Sequence, residues 1–280
     1  MRKYKKILFL GILLIALTGC TNYIDPATKQ VKPEMIITLG DAWNFGSQGW
    51  FSALFVWPIA QLLNFFAQYV GAFGAILVVT LLIKLLTLKG TIQSTIQQQK
   101  MQLIGPEQAK IEEKYRNRTD EQAKLQKATE IQKLFEKHEI KPMAALGGAF
   151  LQIPIMLAMY QAVGRSANII NGSIMGQSLI ETPMDGFKTG NVVIISIYIL
   201  MAICQALSMF LPQYLAKKKM RLRPYDPKPK NNANGMMYTS LIMIVFIALQ
   251  WNVGMSLYWM ISALAQLLQT LFINWKFGDK

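Results

Sequence analysis

The chain is short of the groups that enzymes and metal proteins draw on. Its 280 residues include two cysteines and one histidine, too few for a disulfide framework or a Cys/His metal cluster. Charged residues make up 16% of the sequence, whereas a soluble domain averages about 25%. That polar surface is too small for an exterior facing water. The composition excludes a disordered tail, a collagen-like chain and an ordinary soluble enzyme. Apolar side chains are abundant instead, at 52%, and they gather in long runs. Acidic residues are also scarce: 15 Asp and Glu face 29 Lys and Arg, a net charge of +14 that is concentrated in a few short stretches. An all-α polytopic membrane protein is the class that remains.

The N-terminus reads as an export signal. Arg2, Lys3, Lys5 and Lys6 precede an apolar run from Ile7 to Leu17. The run ends in Leu17-Thr18-Gly19-Cys20, which resembles the lipobox of bacterial lipoproteins. The resemblance implies removal of residues 1–19 and lipid attachment at Cys20; the competing reading is an uncleaved signal anchor. The second cysteine, Cys204, lies in an apolar helix and reads as an inert thiol.

A span needs about 20 mostly apolar residues. Four runs of suitable length fall at 143–164, 191–213, 236–252 and 255–274, and a fifth, 50–88, is almost twice as long. Within that fifth run Gln61, Asn64 and Gln68 share one helical face. Trp50, Trp57 and Tyr69 suit interfacial depth. Residues 50–70 are therefore expected to form an outer interfacial amphipathic helix after an N-terminal segment 20–49. Gly71 and Gly74 mark the bend into a first span at 71–90. The distribution of basic residues supports this parity: with five spans, 23 Lys and Arg fall in inner segments and 4 in outer ones. Had both halves of 50–88 crossed, the basic loops would lie outside. The expectation is a bacterial cell-membrane protein with its lipid-bearing N-terminus outside and the tail 275–280 in the cytoplasm. Segment 165–190 becomes an outer loop, and Asn252-Val253-Gly254 an outer hairpin.

Segment 91–142 is polar and helix-prone, and is expected to be a cytoplasmic helical hairpin. Pro106 kinks or restarts its first arm. Thr119 with Gln122 reads as a capping box opening the second arm. Leu125, Ala128, Ile131 and Leu134 would form its apolar stripe, facing Ile111 and Tyr115. His138 reads as a surface residue. Ten basic residues here are nearly matched by eight acidic ones, so this is no nucleic-acid clamp and no DNA partner is expected. The loop 214–235, with Lys217, Lys218, Lys219, Arg221 and Arg223, suits anionic lipid headgroups at about 1 kcal/mol per basic residue. Ribosomal RNA is the equal alternative.

Lys84 is the informative residue, a charge inside an otherwise apolar run. A lysine at the bilayer centre costs about 2.5–3.5 kcal/mol on insertion scales. Snorkelling is one explanation, because Lys89 lies about 7–8 Å further along the helix. Other polar residues favour a shared polar cavity. Thr80 sits one turn before Lys84, and Gln152, Tyr160 and Gln161 occupy the next span. Ser196, Gln205 and Ser208 follow, and Trp259, Ser262, Gln266 and Gln269 align on one face of the last span. One cavity would solvate them together.

In this order the features resemble the YidC-type membrane protein insertases, which include the mitochondrial and chloroplast insertases. The resemblance covers residues 45–275 and rests on Gly147-Gly148 leading into Gln152-Ile153-Pro154-Ile155 and on Leu257-Tyr258-Trp259. The lipobox and five mature spans look like the form found in monoderm bacteria. The resemblance implies five transmembrane helices around a hydrophilic groove. It further implies a groove lined by Lys84, Thr80, Gln152, Gln205, Trp259, Ser262 and Gln266, with Lys84 where the family carries an arginine. No catalytic residue, metal or cofactor is implied. The implied partners are nascent membrane proteins, with the secretion channel, the ribosome and anionic lipids as further candidates. Lysine keeps the charge but loses the planar fork of arginine. Pro142 to Leu146 is longer than the family's usual form, and the five-residue tail after Trp275 lacks the long basic extension of some members. A secondary transporter using Lys84 as an ion or substrate site is the rival class, although no internal repeat is visible.

Overall fold

A computed structural model describes residues 23–25, 31–219 and 232–277. The expected signal segment, Cys20 and most of the basic loop, including Arg221 and Arg223, lie outside the described residues.

The fold is helical. After a π-helical stretch at Ser52–Val56, α1 runs over Trp57–Leu103, α2 over Gly105–Lys114, α3 over Glu121–Lys137 and α4 over Pro142–Arg165. A two-stranded antiparallel ladder, β1 at Ser173–Ile174 and β2 at Gln177–Ser178, precedes α5 at Pro183–Thr189. Helices α6 at Val192–Lys219, α7 at Asn232–Ala248 and α8 at Val253–Phe277 complete the chain. Among the described residues four helices are long and apolar enough to cross a membrane, those containing Ser52–Leu103, Pro142–Arg165, Val192–Lys218 and Val253–Lys276.

Two boundaries differ from the sequence reading. The span expected at 236–252 is helical only to Ala248, where α7 ends. Residues 249–252 are taken up elsewhere: the Leu249 carbonyl accepts from the Met184 N–H at 3.0 Å, and Asn252 Oδ1 accepts from the Met255 N–H at 2.9 Å. That second bond caps α8, which starts at Val253. In α3 the capping residue is Asp120 and not Thr119; its carboxylate accepts from the Ala123 N–H at 3.0 Å. That bond is the main cause holding the Asp120 carboxyl below its ordinary range.

The chain divides into two compact units. The first gathers the described residues up to Leu82 with Ile153–Ile199 and Ala248–Ile261. In it, α1 carries one non-helical residue, Gly71, at φ 70° and ψ 173°. Only glycine adopts that conformation without strain, so the sequence dictates the bend. Before it, two of the three residues on the polar stripe turn inward. Gln61 Nε2 donates to the Thr38 carbonyl at 2.8 Å and Gln61 Oε1 accepts from Gly40 N–H at 3.1 Å. Asn64 is fully buried; its Nδ2 donates to the Ile37 carbonyl at 2.7 Å, and its Oδ1 accepts from Ser166 Oγ at 2.6 Å and from Asn168 N–H at 2.9 Å. Gln68 stays exposed. The stripe is thus partly a protein contact.

The second unit gathers Ile83–Gln152, Leu200–Ile247 and the described residues from Ser262. Pro106 sits in the first turn of α2, where its missing N–H costs nothing. Helices α2 and α3 pack antiparallel over Ile104, Leu134 and Ile140, with Met101, Ile111 and Phe135 against them. Leu125 and Ala128, expected on the stripe, are exposed, and Ala123 is buried in their place. Glu130 accepts from Lys114 Nζ at 2.6 Å and from the Tyr115 hydroxyl at 2.8 Å. Those two bonds hold the Glu130 carboxyl below its usual range. His138 is partly buried, with Nε2 3.1 Å from Glu107 Oε1. For Glu107, burial raises the carboxyl, but hydrogen bonds from His138 and Lys137 outweigh it and the net direction is down.

Candidate functional site

The expected groove residues do not form one bonded set. Within the second unit Lys84 Nζ donates to Gln152 Oε1 at 3.3 Å. Both residues are half-buried, and the pair links α1 to α4 across 68 residues of sequence. The charge lies in a helix pair without a carboxylate, and no ion pair to Lys84 is found among the described residues. An amide oxygen satisfies one ammonium proton and leaves the positive field in place.

The other positions fall into different settings. Thr80 is fully buried, and its hydroxyl donates to the Ile76 carbonyl in its own helix at 2.6 Å. Trp259 is buried and packs tilted against Trp251 at 5.1 Å between ring centres, and Trp251 stacks on the Tyr160 ring at 4.4 Å. This aromatic column packs α4 against the α7–α8 turn. Ser262 is buried, and its hydroxyl has no hydrogen-bond partner among the described residues. Gln266 is exposed and Gln205 half-buried.

Two polar features of the second unit were not assigned from the sequence. Gln269, one residue of the polar face of α8, accepts from Thr91 Oγ1 at 3.3 Å and donates to Thr95 Oγ1 at 3.4 Å. Ser94 Oγ donates to the Ala145 carbonyl at 2.7 Å and accepts from the Gly148 N–H at 3.0 Å, while Gln98 Nε2 donates to the same carbonyl at 2.8 Å. A Cβ on Gly148 would lie 2.9 Å from Ser94 Oγ, so glycine permits this approach of α4 to α1. A periodicity count could have flagged Thr91, Ser94, Thr95 and Gln98, which recur at three- and four-residue steps.

Arg165 was counted from the sequence as a loop charge. The structure buries it fully in the first unit. Its Nε donates to the Met35 carbonyl at 2.8 Å and its Nη1 to Ser52 Oγ at 2.6 Å, with the guanidinium 6.0 Å from the centre of the Tyr23 ring. The next residues form a parallel bridge, with Ile37 N–H on the Arg165 carbonyl at 2.7 Å and Ala167 N–H on the Ile37 carbonyl at 3.0 Å. The planar fork is what lets one cation hold two elements. No local sequence signal separates such an arginine from a solvated one.

The sequence profile of a family described as "60Kd inner membrane protein" matches residues 65–280. A protein of Halalkalibacterium halodurans named "Membrane protein insertase YidC 1" is 31% identical over 275 residues, covering 98% of this chain and 91% of that protein. "Membrane protein insertase YidC 2" of Listeria innocua is 27% identical over 285 residues, covering 100% of this chain and 87% of its own length. A "Membrane protein insertase YidC" of Mycoplasma capricolum is 33% identical over 204 residues, covering 72% of this chain and 53% of its own. A match over most of the chain, in a helical multi-pass membrane protein, places this protein in the 60Kd inner membrane protein family.

Proposed function

We propose that this protein is a membrane protein insertase, a non-enzymatic chaperone for nascent integral membrane proteins, and that its working feature is a cation-bearing polar groove. The observation that carries the reading is the Lys84–Gln152 pair, a positive charge retained between two apolar helices without a carboxylate. The likeness to named insertases over nearly the whole chain supports it.

The mechanism follows from electrostatics and transfer energies. A substrate's short polar segment enters from the cytoplasmic side and its acidic side chains are drawn to Lys84. At 4 Å and an effective dielectric of 20, that attraction is about 4 kcal/mol, against about 1 kcal/mol in water. Gln205, Ser262 and Gln266 supply further polar contacts. A wet recess shortens the hydrocarbon path, which lowers the cost of moving polar groups across. The substrate's apolar helix then leaves into lipid, and its burial there, about 25 cal/mol per Å² of apolar surface, drives the step without nucleotide. In this reading the mature N-terminus is lipidated at Cys20 and faces outward, the tail is cytoplasmic, and the α2–α3 hairpin meets arriving chains. The secretion channel, the ribosome and anionic lipids are the partners that the basic segments suit.

Reconstitution into vesicles without ATP tests this directly. Wild-type protein is expected to insert a single-span substrate with an acidic outer tail. Lys84→Ala should lower that insertion and Lys84→Arg should retain it. Equal insertion by Lys84→Ala for every tail tested would refute the groove cation, and flux of a small solute in place of insertion would favour a transporter.

A further inference from the structure

The segment between α4 and α6 reads from the sequence as a loop in water, yet it displays apolar side chains. Met175, Ile180, Met184 and Phe187 are 82%, 47%, 37% and 46% exposed. Their setting says what covers them. Helix α5 packs against the first two turns of α6. A Cβ on Gly186 would come within 2.6 Å of Ile194 Cγ2, and the Phe187 ring meets Tyr198 edge-on at 5.8 Å. Tyr198 is six residues into a helix long and apolar enough to span, about 9 Å along its axis. Phe187 therefore sits beside the wall of a span, whose Val192 and Ile199 are also exposed.

The faces of α5 are sorted accordingly. Pro183 and Gly186 are buried, Met184 and Phe187 form the exposed apolar pair, and Asp185 and Lys188 make an ion pair at 3.6 Å on the next stripe. The backbone around it is tied down as lipid contact requires. Met184 N–H bonds the Leu249 carbonyl at 3.0 Å, Val253 N–H bonds the Glu181 carbonyl at 2.8 Å, and Gly254 N–H bonds the Leu179 carbonyl at 3.0 Å. Thr182 caps the helix through the Asp185 N–H at 3.2 Å. Asn191 Nδ2, donating to Gln177 Oε1, holds the turn that carries Met175 beside the start of α6.

We infer that α5 and the β1–β2 turn form an interfacial ledge whose occupant is lipid, with Met175, Ile180, Met184 and Phe187 dipping into the leaflet at that end of α6.

Spin labels read this. The full-length chain, with Cys20 and Cys204 replaced by serine and alanine, would carry one label at a time in liposomes through Met175→Cys, Ile180→Cys, Met184→Cys, Phe187→Cys, Asp185→Cys or Lys188→Cys. All six sites are surface positions, and Ile180→Cys and Met184→Cys give independent readings of one ledge. Collision with oxygen should exceed collision with a water-soluble nickel chelate several-fold at the four apolar positions, with the reverse at Asp185 and Lys188. Chelate-dominated collisions at Met184 and Phe187 would overturn the ledge by showing a loop in water. Low collision with both reagents there would also overturn it, by showing a protein partner or a second copy.

Discussion

Replacing Arg165 with alanine should be among the most damaging single changes in the protein. The side chain is fully buried and gives hydrogen bonds to the Met35 carbonyl and to Ser52 Oγ. Bonds to a charged group contribute about 1.5–3 kcal/mol each. Arg165→Ala removes both bonds and leaves their partners unpaired beside a void, so a loss of about 3–6 kcal/mol is expected. Release of the desolvated cation works in the other direction, and removing a buried ion can be neutral when its partners leave with it. Here the carbonyl and the hydroxyl stay behind, so the loss prevails. Arg165→Lys keeps the charge but cannot reach both acceptors in the fork geometry, and should cost about half as much. Thermal unfolding in detergent measures the effect, and a shift of about 6 °C or more is expected for Arg165→Ala. A midpoint within about 2 °C of wild type would show that the arginine does not hold the segment around Met35 to the end of α4.

Two smaller perturbations test the second unit. Gly148→Ala places a Cβ against Ser94 and should destabilise by about 1–3 kcal/mol, partly recovered in the double variant with Ser94→Ala; strict additivity of the two changes would deny the contact. The hairpin should loosen in acid. Glu130 has its carboxyl lowered by Lys114 and Tyr115, so the stability it adds is present above the unfolded carboxylate value and is lost as pH falls through the lower folded one. Amide protection factors in α2 and α3, corrected for the intrinsic pH dependence of exchange, should therefore fall in acid, and that loss of protection should shrink in Glu130→Gln. An unchanged acid response in that variant would place the sensitivity elsewhere.

The membrane class was legible in composition because hydrophobic transfer depends on area and needs no geometry. The bend at Gly71 was legible because one residue type tolerates its φ. The family was legible in ordered motifs, Gly147-Gly148 with Gln152-Ile153-Pro154-Ile155 and Leu257-Tyr258-Trp259, which the match over residues 65–280 bears out. Lys84 stood out because a charge in an apolar run has to be explained. The cap was read at Thr119, one residue before Asp120, because a capping pattern fixes a helix start only to within a residue. The Leu125 and Ala128 stripe failed because the hairpin packs near its base, around Ile104, Leu134 and Ile140, and leaves its tip to solvent.

The sequence by itself determined that the chain is an all-α membrane protein and which charge is out of place. These follow from local composition and period, which any stretch of about twenty residues carries within itself. Only the tertiary structure decided which polar groups meet. Lys84 finds Gln152 across 68 residues, Asn64 finds Ser166 across 102, and Arg165 finds Ser52 across 113. A hydrogen bond is set by distance and angle in three dimensions, and helical period fixes only the face from which a side chain departs, never the partner it meets.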